Sequence, residues 1–303
     1  MSSVGVVFTQ NILPIFIVAG FGFALQRWGG LDKQALSRAV FYCLSPCLVF
    51  ASLVNSQLPG DELIALSLFT IITILLMGAM AWGVARLLRL SRLETTALVL
   101  MVMFVNGGNY GLTLNQLRYG DAGLARAVVY FTTSTVVLYT VGIFVASMGK
   151  LSWRAALRRL WQMPPMYAAV AAVVVYSFKL TVPAPLLRAI EVAGAGAIPV
   201  MLLVLGMQMA SSDGRFPIRL ALSTITLRLL VAPVLAVGVA LLLGLYGVGR
   251  STAIIEASMP PAVFTIILAT EFELQPTAVT SIVVVATLLS GLTLAATISL
   301  LGL

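Results

Sequence analysis

Long apolar runs separated by short polar stretches organise the chain. Segments of roughly the 20 residues needed to cross bilayer hydrocarbon lie at about 4–26, 33–54, 63–85, 94–117, 122–148, 164–180, 185–211, 218–245, 250–271 and 276–301. They predict ten membrane-spanning helices joined by short loops, with no soluble domain of useful size. Two of the ten runs carry an interruption where a membrane helix should be most regular. The fourth contains "NGGNYG", Asn106 to Gly111, and the ninth contains "SMPP", Ser258 to Pro261.

The two interruptions fall into an internal repeat. Setting "CLSPCLVF" over "GAIPVMLL" places Pro46 on Pro199, and the same offset places Arg118–Val137 over Glu271–Ser290 and Gly107 and Gly108 on Pro260 and Pro261. The chain therefore divides into a first five-helix repeat at 1–148, a short basic cytoplasmic loop at 149–163 and a second five-helix repeat at 164–303. Five is odd, so the two halves insert with opposite orientation, an arrangement that recurs in secondary transporters.

The interruptions break their helices by different chemistry. Glycine loosens a helix through its backbone freedom, whereas proline removes an N–H and clashes with the preceding turn. Pro260 and Pro261 would leave the carbonyls of Glu256 and Ala257 without intrahelical donors. Irregular backbone at membrane depth is tolerated where it is buried in protein or lines a watery cavity, and paired breaks in corresponding spans point to a binding site. Each break creates a half-helix N-terminus whose free amides favour an anion such as a carboxylate. The expected substrate-binding residues are thus Asn106, Gly107, Gly108, Asn109, Tyr110, Ser258, Pro260 and Pro261, with Asn115 and Gln116 close behind. Packing offers another account, because small residues let helices approach and asparagine bonds across a bundle. Ionisable residues within spans are costly and mark function. Glu256 and Arg228 are the two ion-coupling candidates: they pair with each other, or Glu256 carries a coupling ion while Arg228 balances charge. The polar run Thr132–Thr135 in the fifth span either lines a pathway or bonds back to helix carbonyls.

Composition sets these helices in a bilayer. Sixty per cent of the residues are hydrophobic, 9% are charged and the mean hydropathy is +1.08, leaving too few polar groups to cover a water-soluble globule. The first apolar run has no preceding basic residue, the wrong charge order for a cleavable signal peptide. Of the eighteen Lys and Arg residues, twelve fall on one set of alternate loops and five on the other, while Arg228 lies within a span. By the positive-inside rule both termini then lie outside the cytoplasm of a cell inner (plasma) membrane. The net charge of +8 thus reflects topology and contact of "KLSWRAALRR" with lipid headgroups, not nucleic acid. Cys43 and Cys47 read as small packing groups. The absence of histidine argues against a metal site and routes any proton coupling through carboxylates. Neither a glycine-serine nucleophile turn nor carboxylates paired at helical spacing within a span is present, so no enzyme and no cofactor are expected.

The segment "NGGNYGLTL" with "RYG", followed some 150 residues later by "ASMPPAVFTIILATEFE" and "IVVVATLLSGLTL", resembles the auxin efflux carrier family, which includes plant carriers and bacterial permeases proposed for malate or malonate. "LSPCLVF" and "GAIPVMLLVLGMQMA" extend the resemblance over essentially the whole chain. It implies a ten-helix inverted-repeat fold of the sodium/proton antiporter and bile-acid carrier kind. Spans 1, 2, 6 and 7 would form a scaffold that dimerises. Spans 3–5 and 8–10 would form a transport domain moving as an elevator, with spans 4 and 9 crossing at the midplane. Family binding residues map onto Asn106–Tyr110 and Ser258–Pro261. The implied activity is secondary transport of a small organic anion, or sodium- or proton-coupled exchange through Glu256. Two departures stand out: the long hydrophilic central loop of the plant carriers is missing, and glycines replace their proline at the span 4 crossing.

Overall fold

A computed structural model describes residues 4–55, 58–147, 164–178, 180–210 and 216–303. The expected basic loop at 149–163, Lys179 and Arg215 lie outside the described residues. Within them the chain is helical, without a strand, and only Val105 and Pro261 form an isolated antiparallel bridge. Seven helices are long and apolar enough to cross a membrane: α1 (Val4–Trp28), α2 (Lys33–Val54), α3 (Gly60–Leu87), α5 (Gly107–Ala146), α7 (Ala184–Met209), α8 (Ile218–Leu242) and α11 (Pro276–Leu301). The remaining four are shorter: α4 (Arg92–Met103), α6 (Pro164–Ser177), α9 (Gly247–Ala257) and α10 (Phe264–Glu271). Large apolar side chains such as Phe21, Trp82, Val234, Leu242 and Leu300 stand more than half exposed, as lipid-facing residues do.

Local chemistry sets the helix ends and bends. Ser91 and Glu94 form a reciprocal capping box at the start of α4, and Asp32 accepts from the Gln34 amide at the start of α2 (2.8 Å), each satisfying donors that a helix N-terminus leaves free. Wide π-helical turns at Phe8–Ile12, Val40–Leu44 and Thr226–Val231 precede Pro14, Pro46 and Pro233. A proline donates nothing to the carbonyl four residues back, and the widened turn absorbs that loss without ending the helix. Gly120 adopts φ 61°, ψ −148° inside α5, a conformation open mainly to glycine, so 107–119 and 121–146 are two helices meeting at a one-residue corner.

Two packing groups follow. α1 lies against α7 with Gly22 and Gly206 at the contact, where a Cβ on Gly206 would stand 2.6 Å from the Ala19 carbonyl carbon. α2 packs on α6 and α7, and Gly194 faces the Leu48 backbone. In the second group α3 contacts α4, α5, α8 and α9, while α11 contacts α8 and α10. The groups meet along an apolar layer of Leu48, Leu112, Leu124, Val128, Met201 and Val204 contributed by α2, α5 and α7, and where α1 touches α11.

Candidate functional site: a crossing of two broken helices

α4 stops at Met103 because Phe104 turns extended (φ −108°, ψ 128°), and Asn106 (φ −76°, ψ 54°) leads into α5. α9 stops at Ala257, and α10 resumes at Phe264. The two interruptions lie antiparallel. The Asn106 amide donates to the Pro260 carbonyl (2.9 Å), and the Ala262 amide donates to the Phe104 carbonyl (2.8 Å). Val105 and Pro261 face each other between these bonds, the position in an antiparallel pair where neither residue donates. The missing N–H of Pro261 therefore costs nothing there. Buried backbone groups freed by each break are satisfied by the other, as an apolar surrounding demands.

The half-helix C-termini are closed by Arg228, which is 2% exposed. Its guanidinium donates to the carbonyls of Val102 (3.0 Å), Met259 (3.1 and 3.2 Å) and Ala257. Ala257 is one of the carbonyls deprived by the prolines; the other, Glu256, accepts from the Met259 amide (3.1 Å). The Glu256 carboxyl is not among the guanidinium's partners. Instead it is fully buried against the first turn of α5, where Oε1 accepts from Asn115 Nδ2 (3.0 Å) and Oε2 has no hydrogen-bond partner among the described residues. A Cβ on Gly107 would lie 2.7 Å from Oε2, and one on Gly111 would lie 2.6 Å from Cδ. These glycines are what let the carboxyl lie on the helix backbone.

On another side of the same turn lies a cavity of about 220 Å³. Tyr110 and Gly111 make the first amide bonds of α5, both to the Asn106 carbonyl (3.3 and 3.0 Å). The amides of Gly107, Gly108 and Asn109 thus precede the helical ladder, and these residues line the cavity together with Asn106, whose buried Nδ2 has no partner among the described residues. The rest of the wall is apolar, with six aromatic rings (Phe41, Phe104, Tyr130, Phe131, Tyr139, Phe264) among aliphatic side chains, and carries four hydroxyls (Ser37, Ser45, Ser134, Thr135) and Gln208. Among the described residues no lining residue is charged. A larger cavity, about 490 Å³, lies among Asn55, Gln116, Asp121, Arg126 and Glu191. The apolar layer of α2, α5 and α7 stands between the two, supplying Val40, Met201 and Val204 to the first wall and Leu48 and Leu124 to the second.

Of the residues singled out in the sequence, Asn106, Gly107, Gly108 and Asn109 reach the first cavity. Tyr110, Ser258, Pro260, Pro261, Glu256 and Arg228 lie outside its lining. Tyr110 is buried with its ring edge-on to Phe16 (centroids 6.0 Å apart), and the Ser258 hydroxyl donates to the Ile254 carbonyl (2.6 Å). Within the polar run, Ser134 and Thr135 line the cavity, Thr135 while bonding back to Phe131 (2.8 Å). Tyr130, Tyr139, Gln208 and the serines of α2 were not foreseen. Ser45 and Gln208 sit inside the quoted "LSPC" and "GMQMA" motifs, and that is the one signal that marked their neighbourhood. Among the described residues no three His, Cys, Asp or Glu side chains converge.

A family described as membrane transport protein matches residues 7–298 by its sequence pattern. An uncharacterized transporter of Methanothermobacter thermautotrophicus is 28% identical over 93% of this chain and 94% of its own length. An uncharacterized transporter of Methanocaldococcus jannaschii is 22% identical over 94% of this chain and 96% of its own.

Proposed function

The chain belongs to this membrane transport protein family, that of the auxin efflux carriers, and from that premise we propose that it is a secondary transporter of small organic anions with its site at the helix crossing. The observation that carries the reading is the first cavity: without a charged lining residue among the described residues, largely apolar, and bordered by residues 107–109, whose amides precede the helical ladder, and by Asn106, whose Nδ2 has no partner among the described residues. A carboxylate placed there meets donors and the positive end of α5, while an apolar body lies against Phe and Tyr faces. With one such cradle and, among the described residues, no arginine or lysine in the wall, the fit is to a single carboxylate on an apolar frame.

In this reading α4 with 107–119 forms span 4, 121–146 forms span 5, and α9 with α10 forms span 9. The ten spans are two inverted repeats, 1–148 and 164–303. The group α1, α2, α6 and α7 is the scaffold, through which two copies dimerise, and the rest is a transport domain. Sliding of that domain along the apolar layer carries the crossing from the side of the first cavity to the side of the second, as an elevator. The charge bias of the loops puts the first cavity on the cytoplasmic side of an inner (plasma) membrane, with both termini outside. Support comes from the separate packing of the two groups and from cavities on both sides of the layer.

The test is uptake by proteoliposomes of labelled mono- and dicarboxylates. Monocarboxylates with apolar bodies are expected to move, and a protein that neither binds nor moves any member of the panel refutes the reading. A second reading, cation-coupled transport through Glu256, is favoured by the unpartnered Oε2 on the same turn that faces the cavity. Its test is a sodium or pH jump across the same vesicles, with cation flux abolished in Glu256→Gln.

A further inference from the structure

Two helix C-termini meet at the crossing, and a single side chain closes both. A helix C-terminus carries roughly half a negative charge on its free carbonyls, so the ends of α4 and α9 together present about one. Carbonyls of this kind, at half-helix ends and on unwound backbone, are what a broken-helix transporter uses to hold a metal cation. Here Arg228 reaches them from α8. Its bonds go to Val102 on α4, Ala257 at the end of α9, and Met259 in the turn beyond it. One full positive charge thus meets about one negative charge, supplied by main-chain oxygens alone, in a place that is 2% exposed. A guanidinium suits this better than an ammonium because its donors form a planar fork that can face several carbonyls at once. Met259 accepts from both Nε and Nη2, as that fork allows.

We propose that Arg228 is a tethered cation, its guanidinium standing in the carbonyl site where a metal ion would otherwise bind to hold the two broken helices together. A free ion can load and unload, but a side chain anchored on α8 cannot. The site therefore contributes structure and not coupling, and Glu256 is left as the one ionisable group at the crossing, among the described residues, that is open to an exchangeable ion. This holds whichever anion is carried, and its test uses no substrate.

The experiment is thermal unfolding of the purified protein in detergent, titrated with guanidinium, methylguanidinium, sodium or choline chloride at constant ionic strength and low concentration. Removing the side chain in Arg228→Ala opens the carbonyl site to solution. Guanidinium at tenfold its dissociation constant is expected to raise the melting temperature of that variant by about 3 °C or more over choline, with no such gain in the wild type. A folded Arg228→Ala protein that gains no more from guanidinium than the wild type does overturns the proposal. Arg228→Lys and Arg228→Met decide the matter if the alanine variant does not fold. Lysine keeps the charge and is expected to melt above methionine, which keeps only the bulk; methionine equal to or above lysine overturns it.

Discussion

Replacing Gly111 with alanine tests whether the glycines of α5 serve the carboxyl that lies on them. The new methyl would stand 2.6 Å from Cδ of Glu256 and nearer still to both oxygens, far inside carbon–oxygen contact, and both residues are buried. Accommodating it costs about 1–3 kcal/mol of overpacking. Moving Glu256 off Asn115 costs about 1–3 kcal/mol more for a hydrogen bond to a group that can carry charge. Alanine returns about 1 kcal/mol of helix propensity. The net is a loss of about 1–5 kcal/mol, read as a melting temperature lowered by roughly 5–10 °C at the centre of that range. Tryptophan-fluorescence melting in detergent measures it, with Gly83→Ala as the control because nothing lies within 4 Å of a Cβ there. The deciding measurement is the double-mutant cycle. With Glu256→Ala already in place the methyl has room, so the alanine at 111 should cost little or even stabilise, leaving a coupling at least as large as the wild-type loss. Equal losses in both backgrounds, or no loss in the wild type, would refute the reasoning.

Other sites give sharper or milder outcomes. Gly206→Ala should be worse than Gly111→Ala, because its Cβ meets the Ala19 and Phe23 backbone, which cannot swing aside; loss of a monodisperse peak in size-exclusion chromatography reads it, and unchanged behaviour contradicts the α1–α7 contact. Glu62 and Arg126 form a two-bond ion pair (2.6 and 2.9 Å) with side chains about one-fifth exposed, so Arg126→Gln should cost about 1–2 kcal/mol, reduced at high salt, and the exchange Glu62→Arg with Arg126→Glu should recover part of it. Asn109→Asp sets a fixed negative charge at the cradle. Anion binding or uptake should fall at least about tenfold while melting is unchanged or higher, since an acidic group suits a helix N-terminus; retained uptake would remove 107–109 from the site.

What the sequence disclosed depended on whether a feature has a local signature. The breaks at Asn106 and at Ser258–Pro261 were legible because glycine and proline violate helix chemistry where they stand. Their mutual pairing was not, because the bonds from Asn106 to Pro260 and from Ala262 to Phe104 join main-chain atoms, which every residue has. Arg228 was visible as a charge in the wrong solvent, yet its partners are carbonyls, so a side chain such as Glu256 was the only partner a sequence could offer. Tyr110 was grouped with Asn106–Asn109 by adjacency, but a helix turns about 100° per residue, and that rotation takes its ring from the cavity to Phe16. The glycines at 107 and 111 were legible as loosened backbone, whereas the structure gives a different cause, the space taken by a carboxyl from another helix. Tyr130, Phe131 and Tyr139 pass for ordinary membrane aromatics, and only the fold brings them to one wall.

On the proposed reading, the crossing would take its selectivity for an anion from an imbalance between helix ends. Four half-helix ends converge there, and by the dipole rule the two C-termini bring about one negative charge and the two N-termini about one positive. Arg228 cancels the first and touches none of the second. The positive ends are thus left to whatever occupies the cavity on one side of the first turn of α5 and to Glu256 on the other. An anion in the cavity and a negative charge on Glu256 would compete for the same amide dipoles, because only a single turn, glycine at 107 and 111, separates them. Neutralising Glu256, by a proton or a bound cation, would then strengthen the proposed cradle for a carboxylate without any change of shape. In the proposed transporter, coupling between cation and anion would then follow from the placement of one carboxyl across one turn of helix, and the glycines that permit that placement would be as much a part of the site as the asparagines that face the cavity.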